Sequence, residues 1–213
     1  MKHILLLTGP VLFLLAELIA PGGSPDPARR QALIANNQAA WALSHQLFIL
    51  AFASLIWWLV RLWATLTRAP LLAGLGIVVS GFALLADFGI ATLQLLALDA
   101  VRTLSPDQAL AVITLTSSSQ NLLLFVFLPY LGIAIGFVLL AWAIFRQQRR
   151  LYAALLALSG ILLSIGGITG SKFVFIIAAL TLLAFTLRWV WDEARAQTAN
   201  ALAPVSSIPV SDT

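Results

Sequence analysis

Long apolar stretches, separated by short polar segments, dominate the pattern of this 213-residue chain. A helix needs about 20 apolar residues to cross a hydrocarbon core of ~30 Å. Six stretches reach or approach that length: 4–20, 40–62, 70–98, 118–145, 151–169 and 172–191. A signal peptide is the other interpretation of the first stretch, but Glu17 stands where a small-residue cleavage site would be. The pattern therefore predicts an all-α fold, a polytopic membrane bundle of six transmembrane helices.

Two polar segments, ahead of the second and fourth stretches, carry helix-starting signals. Ser24-Pro25-Asp26-Pro27 and Ser105-Pro106-Asp107-Gln108 each combine a side chain suited to an N-cap with a proline suited to a first helical turn. Ser105 and Gln108 also have the spacing of a capping box. We expect a short outer-surface helix in the first loop and another in the loop between the third and fourth spans.

The remaining signals concern how these helices are organised. Residues 1–196 are expected to form a single six-helix domain, and the polar residues 197–213, with two prolines, are expected to be a disordered cytoplasmic tail.

Gly132 and Gly136 lie on one helix face, and Gly74 and Gly76 lie close together in the third span. Small residues of this kind predict places where two membrane helices approach closely.

Composition narrows the class of protein. Hydrophobic residues make up 61% of the chain and charged residues 9%, against roughly 45–50% and about 25% in soluble domains. This excludes a soluble globular protein and makes the lipid bilayer the first partner. The basic residues do not cluster with aromatic residues on a polar segment, which excludes a nucleic-acid partner. Because the chain has no cysteine, thiolate metal sites and cysteine nucleophiles are excluded as well.

The distribution of cations predicts the orientation of the bundle. With both termini in the cytoplasm, the cytoplasmic side holds Lys2, Arg61, Arg68, Arg146, Arg149, Arg150, Arg188 and Arg195. The outer side then holds Arg29, Arg30, Arg102 and Lys172. Eight cations against four follow the positive-inside rule. We expect a multi-pass protein of the bacterial inner membrane with both ends inside.

Ionisable residues inside the spans are the candidates for chemistry, because each costs roughly 2.5–3.5 kcal/mol at the centre of a membrane helix. Asp87 shares a helical stripe with Ser80 and Gln94, at seven-residue intervals. The sequence predicts that Asp87 points into the bundle, near a polar group of the first, second or fourth span. A polar cavity open to the outside would contain the ligand-binding candidates Glu17, His45, Asp87, Gln94, Gln120 and Asn121.

A purely structural role is the alternative for the same residues. Asp87 would then pair with His45 or Lys172, and the amide side chains would bond between helices. For Asp87 pointing into the bundle, whichever role it has, we expect Asp87→Asn to preserve folding and Asp87→Leu to leave polar partners unsatisfied.

A metal site is a further alternative, since Glu17, His45 and Asp87 match a Zn²⁺ ligand set with water in the fourth position. No two of the three share a helix at ligand spacing. Haem held by two histidines is excluded, because His3 and His45 lie at opposite ends of their spans. A haem or chlorin held by His45 alone stays open, so the sequence specifies no cofactor.

Small-residue and apolar motifs in several spans resemble a known family. They are Leu15-Ala16-Glu17-Leu18-Ile19-Ala20-Pro21, the hairpin from Gly136-Phe137-Val138-Leu139-Leu140 through Arg149-Arg150, and Ser159-Gly160. Together with the long outer loop, they look like a family of uncharacterised six-helix integral membrane proteins of bacteria, a domain of unknown function. The resemblance implies a six-helix fold and supplies no catalytic residue.

Three functions remain open from the sequence. The favoured one is a non-enzymatic protein that binds or transports a small amphipathic or lipid-like molecule. The second is an accessory or structural subunit of a larger membrane complex, with another membrane protein as its partner. The third is a metal-dependent intramembrane hydrolase.

Overall fold

The computed structural model describes residues 4–118 and 120–202, and it is all α. Its helices are α1 (Ile4–Ile19), α2 (Pro27–Asn36), α3 (Gln38–Trp63), α4 (Pro70–Thr103), α5 (Pro106–Ser118), α6 (Gln120–Arg146), α7 (Arg150–Thr169) and α8 (Lys172–Leu202). The described residues contain no strand. The all-α class is therefore confirmed, and α2 and α5 lie where two short helices were predicted.

The helix ends follow local capping chemistry. Before α2, the Asp26 carboxylate accepts the backbone N–H groups of Ala28 at 2.9 Å and Arg29 at 3.4 Å. Before α5, the predicted capping box forms: the Ser105 N–H donates to Gln108 Oε1 at 3.2 Å, and the Gln108 N–H donates to Ser105 Oγ at 3.4 Å. Asp26, rather than Ser24, is thus the N-cap of α2.

Five helices are long and apolar enough to cross a membrane, namely α3, α4, α6 from Pro129 onward, α7 and α8. Their outer faces carry exposed apolar side chains such as Leu71, Phe82 and Phe173, as expected for a surface in contact with lipid. This architecture indicates a multi-pass membrane protein. Helix α1 is apolar but has only 16 residues. Helix α8 continues past residue 196 to Leu202, and residues 1–3, 119 and 203–213 lie outside the described residues.

The six longer helices form a closed ring in the order α1, α3, α4, α6, α7, α8 and back to α1. Each packs against its two neighbours, and within the described residues no two helices on opposite sides of the ring approach each other. Neighbours run antiparallel. At one end, which we call the capped end, α2 and α5 pack against α3, α4 and α6. We call the other end, with the α3–α4 and α6–α7 turns, the basic end.

Glycines set the closest approach in the ring, between α4 and α6. A Cβ atom on Gly136 would overlap Ser80, and one on Gly76 would lie 2.9 Å from the Gly136 carbonyl oxygen. A Cβ on Gly132 would lie 3.1 Å from the Ala83 Cβ. The predicted role of Gly132, Gly136 and Gly76 is confirmed. The prediction for Gly74 is wrong, because its face is open.

Large aromatic side chains fill the ring interior toward the basic end. The Trp58 ring lies 6.3 Å from the Phe137 ring and 5.7 Å from the Phe185 ring, measured between centroids. Phe137 belongs to α6 and Phe185 to α8, neither of which is a neighbour of α3 in the ring. These three buried side chains therefore meet across the interior. We call them the aromatic plug.

Candidate functional site

Asp87, near the middle of α4, is buried, with 6% of its surface exposed. The Trp41 Nε1–H donates to the Gln94 carbonyl oxygen at 3.0 Å and so sets the register between α3 and α4. Phe48 follows Trp41 by seven residues on α3, and Asp87 precedes Gln94 by seven residues on α4. Because the two helices are antiparallel, Asp87 lies level with Phe48 on the inner side of the ring. The prediction that Asp87 points into the protein is confirmed.

Glu17, in the last turn of α1, is as deeply buried as Asp87. Its charge interacts with that of Lys172, at the start of α8. The Lys172 ammonium donates to the carbonyl oxygens of Leu18 at 3.2 Å and Ala20 at 2.6 Å. It thus satisfies the free carbonyls at the end of α1 and opposes their partial negative charge. Lys172 joins α1 to α8 and closes the ring.

Tyr130, which sequence reasoning missed, completes the site. Its ring covers Gly167 of α7, where a Cβ atom would overlap it, and its centroid lies 6.4 Å from that of Phe175. Its side chain interacts electrostatically with both Asp87 and Glu17. Because α1 and α6 are not neighbours, the interaction with Glu17 crosses the ring interior. We call Glu17, Asp87 and Tyr130 the polar layer.

A sequence signal for Tyr130 existed, but it involved two helices. Tyr130 and Phe137 are seven residues apart on α6, and Gly160 and Gly167 are seven residues apart on α7. Each aromatic ring lies on one glycine, in the order that antiparallel helices require. The pairing becomes visible only once α6 and α7 are known to be neighbours.

His45 bonds locally and does not reach Asp87. Its Nδ1 lies 2.8 Å from the Trp41 carbonyl oxygen, and since a carbonyl only accepts, Nδ1 carries the proton and Nε2 is left as an acceptor. Nδ1 also lies 3.3 Å from Ser44 Oγ. Among the described residues, neither His45 nor Lys172 pairs with Asp87. The pairing that a purely structural role predicted is therefore wrong.

Aromatic rings form a continuous row around the polar layer. Successive ring centroids are separated by 4.8, 5.8, 5.7, 6.5 and 6.4 Å. The row starts on α3, crosses α1 and α8 and ends on α6. Its members, which we call the aromatic wall, are Trp41, His45, Phe48, Phe13, Phe175 and Tyr130. Asp87 lies on α4, a helix that the wall does not include.

The predicted amide residues contribute less to this site. Gln94 is partly buried, two turns nearer the capped end than Asp87, and only its carbonyl oxygen has an assigned hydrogen bond. The side chains of Gln120 and Asn121 lie outside the described residues. Ser80, on the same stripe as Asp87, is fully buried against Gly136, and its hydroxyl has no hydrogen-bond partner in the part of the chain that the structure describes. The stripe therefore faces both the α4–α6 contact and the interior.

The two short helices cover one side of the capped end. A small core joins them to α3 and α4 and consists of Ile34, Trp41, Ala97, Leu98 and Ile113. Gln31 of α2 donates through Nε2 to the Pro106 carbonyl oxygen at 2.8 Å, which ties α2 to α5. Neither short helix packs against α1, α7 or α8 in the described part of the chain.

The metal site that the sequence offered as an alternative does not form among the described residues. No three His, Asp or Glu side chains come together to hold a metal ion in the described residues, which include Glu17, His45 and Asp87. Two carboxylates, one hydroxyl and a row of rings can instead accept a ligand that has a polar and an apolar part. No protein-family model, no curated protein and no solved structure matches this chain.

Proposed function

We propose that the protein binds or transports a small amphipathic or lipid-like molecule across the bacterial inner membrane, through an outward-facing site at the polar layer. The observation that carries this proposal is the polar layer itself. Two deeply buried carboxylates lie inside a ring of apolar helices, and the Tyr130 side chain interacts with both. Such groups are costly within a membrane, and in membrane proteins they mark substrate or ion pathways.

The interior has two chemically different zones, which is why an amphipathic ligand fits. The polar layer lies toward the capped end, and the aromatic plug lies toward the basic end. Tyr130 and Phe137 are seven residues apart on α6, so the two zones are separated by ~10 Å at ~1.5 Å per residue. A polar head at the first zone and an apolar tail directed toward the second would satisfy both.

We further propose six crossings, with both termini in the cytoplasm. The basic end holds Arg61, Arg68, Arg146, Arg149, Arg150, Arg188 and Arg195, whereas the capped end holds Arg29, Arg30, Arg102 and Lys172. The positive-inside rule then places the capped end outside. Helix α1 spans only ~24 Å at ~1.5 Å per residue, but it packs between α3 and α8 and completes the ring. This position in the ring supports the proposal that α1 is the sixth membrane crossing.

Native mass spectrometry of the purified protein tests the proposal after incubation with a lipid extract of the expression host. We expect the wild type to retain a small molecule of defined mass and Asp87→Asn to reduce its occupancy by about tenfold, a loss of ~1.4 kcal/mol. Asp99→Asn, an exposed carboxyl group on the same helix, is the matched control and should retain the molecule. Equal occupancy in all three proteins, or no adduct on the wild type, would contradict the proposed function.

A further inference from the structure

We infer that the ligand of the polar layer is an amphipathic organic cation, a molecule with a positively charged nitrogen or phosphorus centre and apolar substituents. This inference rests on the proposed function and specifies the class of ligand. Two independent observations carry it, the balance of charged groups around the layer and the aromatic wall.

The ionisable groups of the layer are two buried carboxyl groups and the Tyr130 phenol, all of them acids. Within the described residues, Asp87 makes no hydrogen bond and no ion pair, and Glu17 interacts with the charge of Lys172 and with the Tyr130 side chain. The Lys172 ammonium is itself held by two carbonyl oxygens at the end of α1. A buried charge without a partner is strongly unfavourable. A cation in the layer would supply the missing partner, whereas an anion would be repelled.

The aromatic wall favours the same charge. The faces of aromatic rings are electron-rich and attract cations, and sites for quaternary ammonium groups are built from several such rings. Phe48 lies level with Asp87, and its ring contacts those of His45 and Phe13 at centroid distances of 5.8 and 5.7 Å. The wall continues through Phe175 to Tyr130, whose side chain interacts with both carboxylates. The wall thus extends from Phe48, level with Asp87, to Tyr130, the side chain that interacts with both carboxyl groups.

The same groups disfavour a divalent metal ion. A divalent metal ion needs several oxygen or nitrogen ligands converging at short distance. The described residues contain no such group of three acidic or histidine side chains. Aromatic rings add nothing to the binding of a hydrated metal ion, but they match the apolar substituents of an organic cation. The aromatic plug offers further apolar contact toward the basic end.

Tetraphenylphosphonium is a suitable probe, because its charge is surrounded by apolar rings. We would measure binding of the tritiated ion to the full chain in micelles of dodecyl maltoside, a detergent without charge, with an excess of unlabelled ion to define the saturable part. We expect Asp87→Asn and Glu17→Gln each to weaken binding by about tenfold. Phe48→Leu, which keeps an apolar side chain but removes the ring, should weaken it by about threefold. Asp99→Asn is the matched control and should bind as the wild type does.

Tetraphenylborate has nearly the same shape and the opposite charge, and it separates charge selection from apolar binding. It should not compete at concentrations where unlabelled tetraphenylphosphonium does. Three results would each overturn the inference. They are equal competition by the two ions, unchanged binding in both carboxyl variants, and no saturable binding to the wild type. A defined, Asp87-dependent adduct in native mass spectrometry would then still support the proposed function with a ligand that is not a cation. If Asp87→Asn does not fold, Glu17→Gln decides the result by itself.

Discussion

The Asp87 side chain is buried without a hydrogen bond among the described residues, and its burial therefore opposes the stability of the folded protein. Burying a polar group without a hydrogen bond costs about 1–3 kcal/mol by the evidence of protein mutations. The sequence predicted that Asp87→Leu would leave polar partners unsatisfied. Among the described residues Asp87 makes no hydrogen bond, which favours a different expectation for Asp87→Leu. Retaining an unfavourable carboxyl group inside the ring is the pattern expected of a binding site.

We now predict that Asp87→Leu stabilises the protein by about 1–3 kcal/mol while abolishing ligand binding, because an apolar side chain of similar size replaces an unpaired carboxyl group. Asp87→Asn should stay close to the wild type in stability. Thermal unfolding in detergent, followed by tryptophan fluorescence, measures both. A strongly destabilised Asp87→Leu protein would show that the carboxyl group is structural, and would contradict its role as a ligand-binding group.

Lys172 has the opposite character, because its bonds hold two helices together. Lys172→Met keeps an apolar stem but removes the ammonium that binds the Leu18 and Ala20 carbonyls. Hydrogen bonds to charged groups contribute about 1.5–3 kcal/mol, so we expect Lys172→Met to lower the free energy of unfolding by about this amount. The protein should therefore unfold at a lower temperature. The matched control is Arg102→Met at the same end, where one exposed bond to Gln38 is lost. An equal effect of the two variants would argue against a special role for Lys172.

At the scale of whole helices, the α4–α6 contact is the most sensitive to added volume. We predict that Gly136→Ala lowers the stability by about 1–3 kcal/mol, the usual cost of overpacking. The added Cβ would lie 2.8 Å from the Ser80 backbone nitrogen and 2.9 Å from the Gly76 carbonyl oxygen, so rotation of a side chain cannot relieve the clash. Thermal unfolding of the purified variant provides the measurement.

Gly74→Ala, on the same helix pair, is the control for that prediction. Its Cβ meets nothing within 4 Å. The substitution should leave stability unchanged or raise it by up to about 1 kcal/mol through helix propensity. A second comparison combines Ser80→Gly with Gly136→Ala. Ser80→Gly removes the hydroxyl but not the crowding between the two backbones, so the double variant should regain only part of the lost stability. Full rescue would locate the strain in the Ser80 side chain rather than between the two backbones.

Features encoded within one helix were predictable from the sequence, and features shared between helices were not. The capping box of Ser105 and Gln108 and the burial of Asp87 follow from local spacing. Tyr130 became a site residue only because α7 presents Gly167 to its ring. Lys172 was a candidate partner for Asp87, but its ammonium binds two carbonyl oxygens at the end of α1 instead. Which helices are neighbours decided each of these outcomes.

The whole molecule combines a closed ring with an interior that changes character along its axis. Six helices, each in contact with two neighbours in the ring, surround an interior that no other described helix enters. Toward the basic end those side chains are large, buried and aromatic, and they meet across the ring. Toward the capped end they include two carboxylates. A ligand reaching the polar layer from the capped end would encounter its polar groups before the aromatic plug.

That direction of access requires the capped end to face outward, which cysteine labelling tests. The chain has no cysteine, so each introduced thiol gives an unambiguous signal. We predict that Thr103→Cys, at the capped end, reacts with a membrane-impermeant maleimide in intact cells. Gln148→Cys, at the basic end, and Lys2→Cys, in the N-terminal segment, should react only after the cells are permeabilised. Labelling of Gln148→Cys in intact cells would reverse the orientation. If Lys2→Cys reacted in intact cells, as Thr103→Cys does, α1 would not cross the membrane. The ring would then be completed by a helix that lies at the outer side of the membrane.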